Sequence, residues 1–354
     1  MKARAAVLAV LVVQCAGATP PTPGPESSPA TKAAAAETTS PGPPVGAPLP
    51  PFEAPDQDGK RQTFETLRGK NGLLLNFNRS VVWGPYCRSQ LVELAGQAES
   101  FRKRGIGVAS IIPEPVATIK AFAAKHGLSY PVLSDADTAI IRRFGLVDRG
   151  FQATGDLAGK DVPFAATFLV DERGAIKERF FEQAAENRRT TASMLVLQGE
   201  PGTGGQEVRA DHFTLRTSSS NVEAAPGQRF TLVLDFELLP KHHAYAPGVK
   251  GYRPLEVELG ADPLFEVYET RYPPSGTYYF APLKETVPVF EGRFRVLKDV
   301  TVTLPGALPR FKDAQEFPAT LTGTLKYQVC SDVVCYPPAT LPLRFTIRIR
   351  RWVR

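Results

Sequence analysis

The chain lacks four things that would have placed it in a functional class at once. After its first twenty residues it has no apolar run long enough to cross a bilayer as a helix, so the sequence offers no helical membrane domain. It has no internal repeat. It has only four histidines, and none stands at a zinc-like spacing from the cysteines. His242 and His243 are available ligands, but they make a metal site the weakest reading. His126 and His212 read as ordinary helix-end and strand-edge residues. The sequence calls for no cofactor. Finally, charge of one sign is not in large excess: 42 Lys and Arg against 36 Asp and Glu, a net +6 over 354 residues. Much of that excess sits in the tail around Arg344, Arg348, Arg350, Arg351 and Arg354, where Phe345, Ile347 and Ile349 alternate with polar residues. That pattern reads as a strand with a solvated, arginine-rich edge, and no nucleic-acid partner is expected.

Apolar content of 43% and charged content of 22% are ordinary for globular protein, and the length suits about two domains. Residues 1–18 read as an export signal: Lys2 and Arg4, a short apolar core over 5–13, then Ala16-Gly17-Ala18. A lipid anchor on Cys15 is the rival, disfavoured because Gln14 stands where a small residue is wanted. Residues 19–49, rich in Pro, Ala, Thr and Ser, cannot bury a core and read as a disordered stalk. An α/β domain over 50–198, a linker over 199–207 and a β domain over 208–354 complete the expected organisation.

The α/β domain shows short apolar strands at 73–77 and 106–112 and helices at 87–104, 115–126 and 137–144. A strand pair at 166–171 and 175–181 follows, then a last helix at 182–197. Beyond 205, helical periodicity ends and short strands alternate with Pro/Gly turns, as in an antiparallel sandwich.

Two places carry chemistry. Cys87 opens a helix in Trp83-Gly84-Pro85-Tyr86-Cys87-Arg88. A thiol in a first helical turn meets unpaired N–H groups and the positive end of the helix dipole, and Arg88 and Arg79 add charge, all of which favour a thiolate. Trp83 and Pro85 would shape a lip beside it. The second place is Cys330 and Cys335, flanked by Tyr327 and Tyr336 and followed by Pro337-Pro338. Such a pair is a structural clip, half of a metal site, or a redox couple. Closing so small a loop stabilises by at most ~2–3 kcal/mol, which weakens the purely structural reading.

Three blocks in residues 50–197 define a resemblance: Pro51-Phe-Glu-Ala-Pro-Asp56, Trp83-Gly-Pro-Tyr-Cys87, and Ala166-Thr-Phe-Leu-Val-Asp171-Glu-Arg-Gly174. They resemble the thioredoxin-fold redoxins of the alkyl hydroperoxide reductase/thiol-specific antioxidant group. Gly84 stands where many relatives carry a first cysteine or a threonine, and Ala165 where they carry proline. Dithiol exchange inside this domain is thereby excluded. The resemblance implies that Cys87 attacks a peroxide or disulfide substrate.

Residues from about 208 to 354 resemble the amino-terminal, immunoglobulin-like domain of the thiol:disulfide interchange protein DsbD. The strongest match runs from Gly323 through Tyr327 and Cys330 to Cys335-Tyr336-Pro337-Pro338. The resemblance implies a shuttling pair Cys330–Cys335 capped by Phe290. It also implies partners among periplasmic thiol/disulfide proteins or a membrane electron donor.

The expected function is an exported, periplasmic, peroxiredoxin-like thiol–disulfide oxidoreductase. In it, Cys330 or Cys335 resolves oxidised Cys87, or serves external thiol partners. The alternative is a non-enzymatic periplasmic binding module with a degenerate redoxin scaffold and a structural disulfide.

Overall fold

A computed structural model describes residues 41–151, 160–181, 187–280, 284–303 and 316–350. The expected signal, Cys15 and most of the expected stalk lie outside the described residues. Residues 41–49 do not: Gly46 N donates to Ile176 O at 2.8 Å and Leu49 N to Gly174 O at 2.7 Å, so this end of the expected stalk pairs with the redoxin sheet. Among the described residues no helix is long and apolar enough to cross a membrane.

The first half is a thioredoxin-like α/β fold. Its sheet runs Val132–Ser134, Ile106–Ile112, Gly72–Phe77, Ala166–Val170, Ile176–Phe181. The first three strands are parallel and the last two antiparallel. Both faces are covered, so the central strand Gly72–Phe77 is buried at every position. One face packs Leu73, Leu75 and Phe77 against Phe144 and Phe168. The other packs Leu74 against Leu91, Leu94 and Phe101 of the Pro85–Lys103 helix. The helix expected over 137–144 is shorter, Ala139–Arg143. The buried carboxylate of Asp135 holds its start by accepting from Ile140 N and Ile141 N.

The second half is an all-β, immunoglobulin-like sandwich. One sheet carries Gln228–Leu238 between Phe213–Ser219 and Arg293–Val302. The facing sheet carries Ala339–Arg350 beside Glu316–Tyr327. Alternation puts Leu343, Phe345, Ile347 and Ile349 into the core and Arg344, Thr346 and Arg348 outside, as expected. The second side of that strand is paired only at Arg348 and Ile349, with Glu223 and Ala224, so over 339–347 the strand pairs on one side alone, as the expected edge. A third, small sheet of Gly276–Phe280, Glu285–Glu291, His242–Tyr245 and Val329–Ser331 holds the cysteine pair. The strand Thr203–Arg209, which pairs with Phe213–Ser219, takes in the second half of the linker expected over 199–207.

The largest departure from expectation lies at 182–197. Residues 182–186 of that expected helix lie outside the described residues; beyond them Arg188–Arg189 adds in parallel to the sandwich strand at Gln228–Arg229, and a shorter helix follows at Thr191–Leu197. Arg188 N donates to Gly227 O and Thr190 N to Arg229 O; Thr190 then caps the helix by accepting from Ser193 N. The side chains alternate. Arg189 lies on the outer face of the sandwich sheet, against Ser193 of the following helix, and forms a bidentate pair with Asp299, at 3.1 and 2.6 Å, both residues being 3–4% exposed. Asp299 also accepts from Thr231 Oγ1 at 2.7 Å and from Arg271 at 2.8 Å. Burial opposes its ionisation, but Arg189, Arg271 and Thr231 outweigh burial and hold its carboxyl below the usual range.

A second junction joins Glu93 of the Pro85–Lys103 helix to both halves. It accepts from Thr191 N at 2.7 Å and from Gln228 Nε2 at 3.0 Å. Burial pushes its carboxyl up to about 7, against the pull of the Thr191 N–H, Arg350 and Gln228.

Two outcomes follow from these junctions. Asp299→Ala strands a buried guanidinium and should cost about 3–5 kcal/mol in urea unfolding. For Glu93, the unfolded carboxyl ionises first as pH rises. Stability should therefore fall between pH 4.5 and about 7 and level off above. The loss should be about 3 kcal/mol, and Glu93→Gln should flatten it in pH-dependent unfolding.

Candidate functional site

Cys87 lies in the first turn of the Pro85–Lys103 helix, with Pro85 at its first position and Gly84 as cap. The thiol is 2% exposed. A Cβ built at Gly84 would lie 3.0 Å from its sulfur and 3.0 Å from Ser80 O, so a cysteine or threonine there would require the thiol or that carbonyl to give by a few tenths of an ångström. Trp83 stacks on Phe151 at 5.3 Å. The expected charges are engaged elsewhere. Arg88 donates to Val82 O at 2.9 Å. Arg79 pairs with Asp148, donates to Pro163 O and lies over Phe151.

The cation that does reach the sulfur is one the sequence did not single out. Arg188 Nη2 sits 4.0 Å from Cys87 Sγ, and Arg188 is 3% exposed. It gets there because Arg189, next to it in an extended pair, is turned the other way, onto Asp299 of the sandwich sheet. The only signal in the sequence was the Arg188-Arg189-Thr190-Thr191 run, which reads equally well as a helical surface.

Cys330 and Cys335 form a disulfide that closes a tight hairpin. Ser331 N donates to Val334 O at 2.8 Å, and Ser331 Oγ accepts from Val333 N and Val334 N. The two sulfurs differ in access. Cys330 is 1% exposed and packs with Tyr245, Val287 and Val289, while Cys335 is exposed beside Val333 and Val334. Tyr245 Oη lies 3.1 Å from Cys330 Sγ and 3.5 Å from Cys335 Sγ.

Phe290 does not cap the sulfurs. His243 pairs with Cys330 and Tyr245 with Val289, so those residues share a face. Phe290 pairs with Ala244 and points to the opposite face, where it stacks on Phe294 at 4.9 Å and Tyr272 at 6.1 Å. A one-residue difference in a strand exchanges faces. The cover is Tyr245, stacked on Tyr252 at 4.2 Å. Tyr336 stacks on His212 at 3.7 Å, and Tyr327 meets Phe213 edge-on at 5.0 Å, with its phenol pushed up by burial. Both buttress the hairpin's base.

The structure separates the two sulfur centres. Cys87 is tied through Arg188 to Gln228, at one end of the eleven-residue strand Gln228–Leu238. At its other end Leu238 pairs with Phe213, Leu239 N bonds His212 O, and His212 stacks on Tyr336 beside Cys335. The ends of such a strand are roughly 33 Å apart. Resolution of Cys87 by Cys330 or Cys335 of the same chain, expected above, is therefore not available in this arrangement. Among the described residues no cluster of three or more His, Cys, Asp or Glu suits a metal ion.

Comparison with known proteins divides the chain in the same way. Residues 45–179 match the AhpC/TSA family, and residues 211–345 match the amino-terminal part of thiol:disulfide interchange protein DsbD. The chain is similar to thiol-disulfide oxidoreductase ResA of Geobacillus thermodenitrificans, with 26% identity over 138 residues, 38% of this chain and 67% of that protein. It is also similar to chloroplastic peroxiredoxin Q of Triticum aestivum, with 26% identity over 149 residues, 42% of this chain and 64% of that protein. The chain thus spans about two thirds of the length of these relatives. Among solved structures, peroxidoxin BcpB from Mycobacterium tuberculosis is 25% identical with a TM-score of 0.35, covering 40% of this chain and 86% of that one.

If Arg188 electrostatically assists the buried thiol, Arg188→Met should slow iodoacetamide labelling of native Cys87 several-fold, while Arg188→Lys retains most of the rate. Quenched mass spectrometry of the alkylated chain measures both.

Proposed function

Because the chain joins an AhpC/TSA redoxin domain to a DsbD amino-terminal domain, we propose that it is an exported thiol–disulfide oxidoreductase. Its working couple is Cys330–Cys335, which exchanges electrons with thiol-bearing partner proteins in the periplasm. The observation that carries this reading is the unequal access of the two sulfurs: Cys335 stands exposed on a hairpin tip and Cys330 lies buried behind it. An incoming thiolate has one sulfur to attack and one to expel, which is what exchange through a mixed disulfide requires. Flanking Val333 and Val334, 83% and 51% exposed, supply apolar contact for a partner.

In the same proposal Cys87 is the attacking thiol of the redoxin half, acting on a peroxide or a disulfide. Its oxidised form is reduced by an external thiol, because the couple in the same chain lies at the far end of the sandwich. Trp83, Pro85 and Arg188 shape its surroundings. A second reading is favoured by one observation: Cys87 is 2% exposed. In that reading the redoxin half is a scaffold that presents the couple, and only the sandwich half is redox-active.

The reduction potential of Cys330–Cys335, measured against glutathione or dithiothreitol buffers, tests the main reading. It should lie above about −300 mV; a lower value marks a structural bond. Cys330→Ser should accumulate mixed disulfides with a partner thiol through Cys335, whereas Cys335→Ser should accumulate few. For the redoxin half, peroxide consumption with dithiothreitol as reductant should vanish in Cys87→Ser. Absence of consumption in the unmodified chain selects the scaffold reading.

A further inference from the structure

Once the disulfide opens, its two sulfurs stand in different surroundings. Cys335 is exposed, whereas Cys330 is buried with Tyr245, Val287 and Val289 and, at the margin, Tyr278. Burial by itself favours the neutral form of a thiol. What the polar atoms beside Cys330 offer its sulfur, a proton or a lone pair, decides how firmly that form is held.

The answer is set from the surface inward. Half-buried Tyr252 donates to the carboxylate of half-buried Glu285. An ionised carboxylate only accepts, so this outer end fixes the direction of the bond behind it. Tyr252, its proton given to Glu285, accepts from Tyr245, and the two rings stack at 4.2 Å. A tyrosine has one hydroxyl proton, so that of Tyr245 points away from the disulfide. Its Oη lies 3.1 Å from Cys330 Sγ and 3.5 Å from Cys335 Sγ and presents lone pairs to them. Burial, and then Tyr252, hold the Tyr245 phenol above its ordinary range, so it keeps its proton at neutral pH. Other groups face Cys330 as well. His243 is its partner across the strands, with an imidazole pushed toward the neutral form by burial and by His242 against the pull of Asp332. Tyr278 packs on His243 at 4.2 Å and bonds Asp332 at 3.5 Å.

We propose that Tyr245 accepts a hydrogen bond from the Cys330 thiol of the reduced couple, so that Cys330 is held neutral and Cys335 ionises first. This rests on the redox reading of the couple given above. Tyr252 and Glu285 are positioning residues: by taking the Tyr245 proton they leave only an acceptor facing the sulfur. A thiol at Cys330 gains a bond there, and a thiolate would meet lone pairs. The consequence is a division of roles between the two cysteines. The exposed sulfur is the one that carries charge and attacks, and the buried one waits as a thiol. The exchange balances on this basis. A partner dithiol enters with one thiol and one thiolate, and its thiolate attacks Cys335 Sγ. The Cys330–Cys335 bond breaks, its electron pair stays on Cys330 Sγ, and a Cys335–partner disulfide forms. The second partner sulfur then attacks that disulfide and expels Cys335 as thiolate, and the proton it loses is the one Cys330 holds at the end. Two electrons and one proton have passed to the couple, the partner leaves as a disulfide, and no proton passes through Tyr245.

The test is pulsed iodoacetamide labelling of the full chain after reduction by dithiothreitol, with the rate at each cysteine read by mass spectrometry as a function of pH. Tyr252→Phe removes the acceptor of the Tyr245 proton and lets that hydroxyl turn to the sulfur. It should lower the midpoint of the Cys330 profile by about one pH unit. Glu285→Gln, which can donate as well as accept, should lower it by less. In a Tyr245→Phe background neither change should move the midpoint, because no hydroxyl is left to turn. The Cys335 midpoint should stay in place throughout. A merely structural role for Tyr252 would open the site, raising the plateau rate at Cys330 without moving its midpoint, or would act equally in both backgrounds. A midpoint that Tyr252→Phe leaves in place, or moves equally with and without the Tyr245 hydroxyl, overturns the proposal. If Tyr245→Phe fails to form the disulfide, the two outer variants decide: a lowered midpoint in both supports the proposal, and an unmoved one overturns it. A disulfide that dithiothreitol leaves intact in the unmodified chain overturns the redox reading and this inference together. A reducible disulfide with unmoved midpoints overturns this inference alone.

Discussion

The pair between Arg189 and Asp299 is the contact on which the arrangement of the molecule depends. Two opposite charges, each almost wholly enclosed, cannot separate without leaving one of them buried and uncompensated. Arg271 and Thr231 complete the bonds to Asp299, and Ser193 accepts a further one from Arg189. Because Arg189 belongs to a two-residue strand on the sandwich sheet, the pair fixes more than itself. It sets the strand's register, and the register decides that its neighbour Arg188 faces the redoxin thiol. The surroundings of Cys87 are thus completed by a segment whose backbone is held by the other half of the chain.

The same contact fixes the distance between the two sulfur centres. With the redoxin half seated at the Gln228 end of the sandwich, the disulfide hairpin at the Leu238 end is out of reach by the length of a strand. The facing sheet repeats this polarity: Arg350 lies near Glu93, and Ala339 pairs with Tyr327 below the hairpin. Division of labour between a lone thiol and a dithiol therefore does not make them partners within one chain. Cys335 stands exposed on its hairpin, whereas Cys87 is enclosed.

Much of this was legible in the sequence. The strand, the Pro85-x-Cys87 turn and the apolar helix face placed Cys87 at a helix start. Alternation in Arg344 to Arg350 gave the outward arginines and inward Phe345, Ile347 and Ile349. What escaped depends on long-range pairing. Arg188 and Arg189 sit in a segment whose composition suits a helix, and only Gly227 and Arg229, forty residues on, draw it into a strand. Residues 203–207 looked like linker because their glycines and charges carry no apolar alternation, and they are strand through their pairing with Phe213–Ser219. Phe290 was assigned to the sulfurs by local likeness. Local likeness does not specify which face of a strand a residue occupies, and Val289 occupies that face here.

Exchanging Phe290 for Tyr245 as the cover alters what the cover can do. A phenylalanine over a disulfide excludes water and nothing more. A tyrosine excludes water with its ring and keeps one hydroxyl on both sulfurs. The Tyr252–Glu285 extension connects that hydroxyl to the surface without opening the pocket. The hairpin then treats its two cysteines oppositely on purpose of geometry alone: tight turn bonds from Ser331 lift Cys335 into solvent, and pairing of Cys330 with His243 keeps it inside.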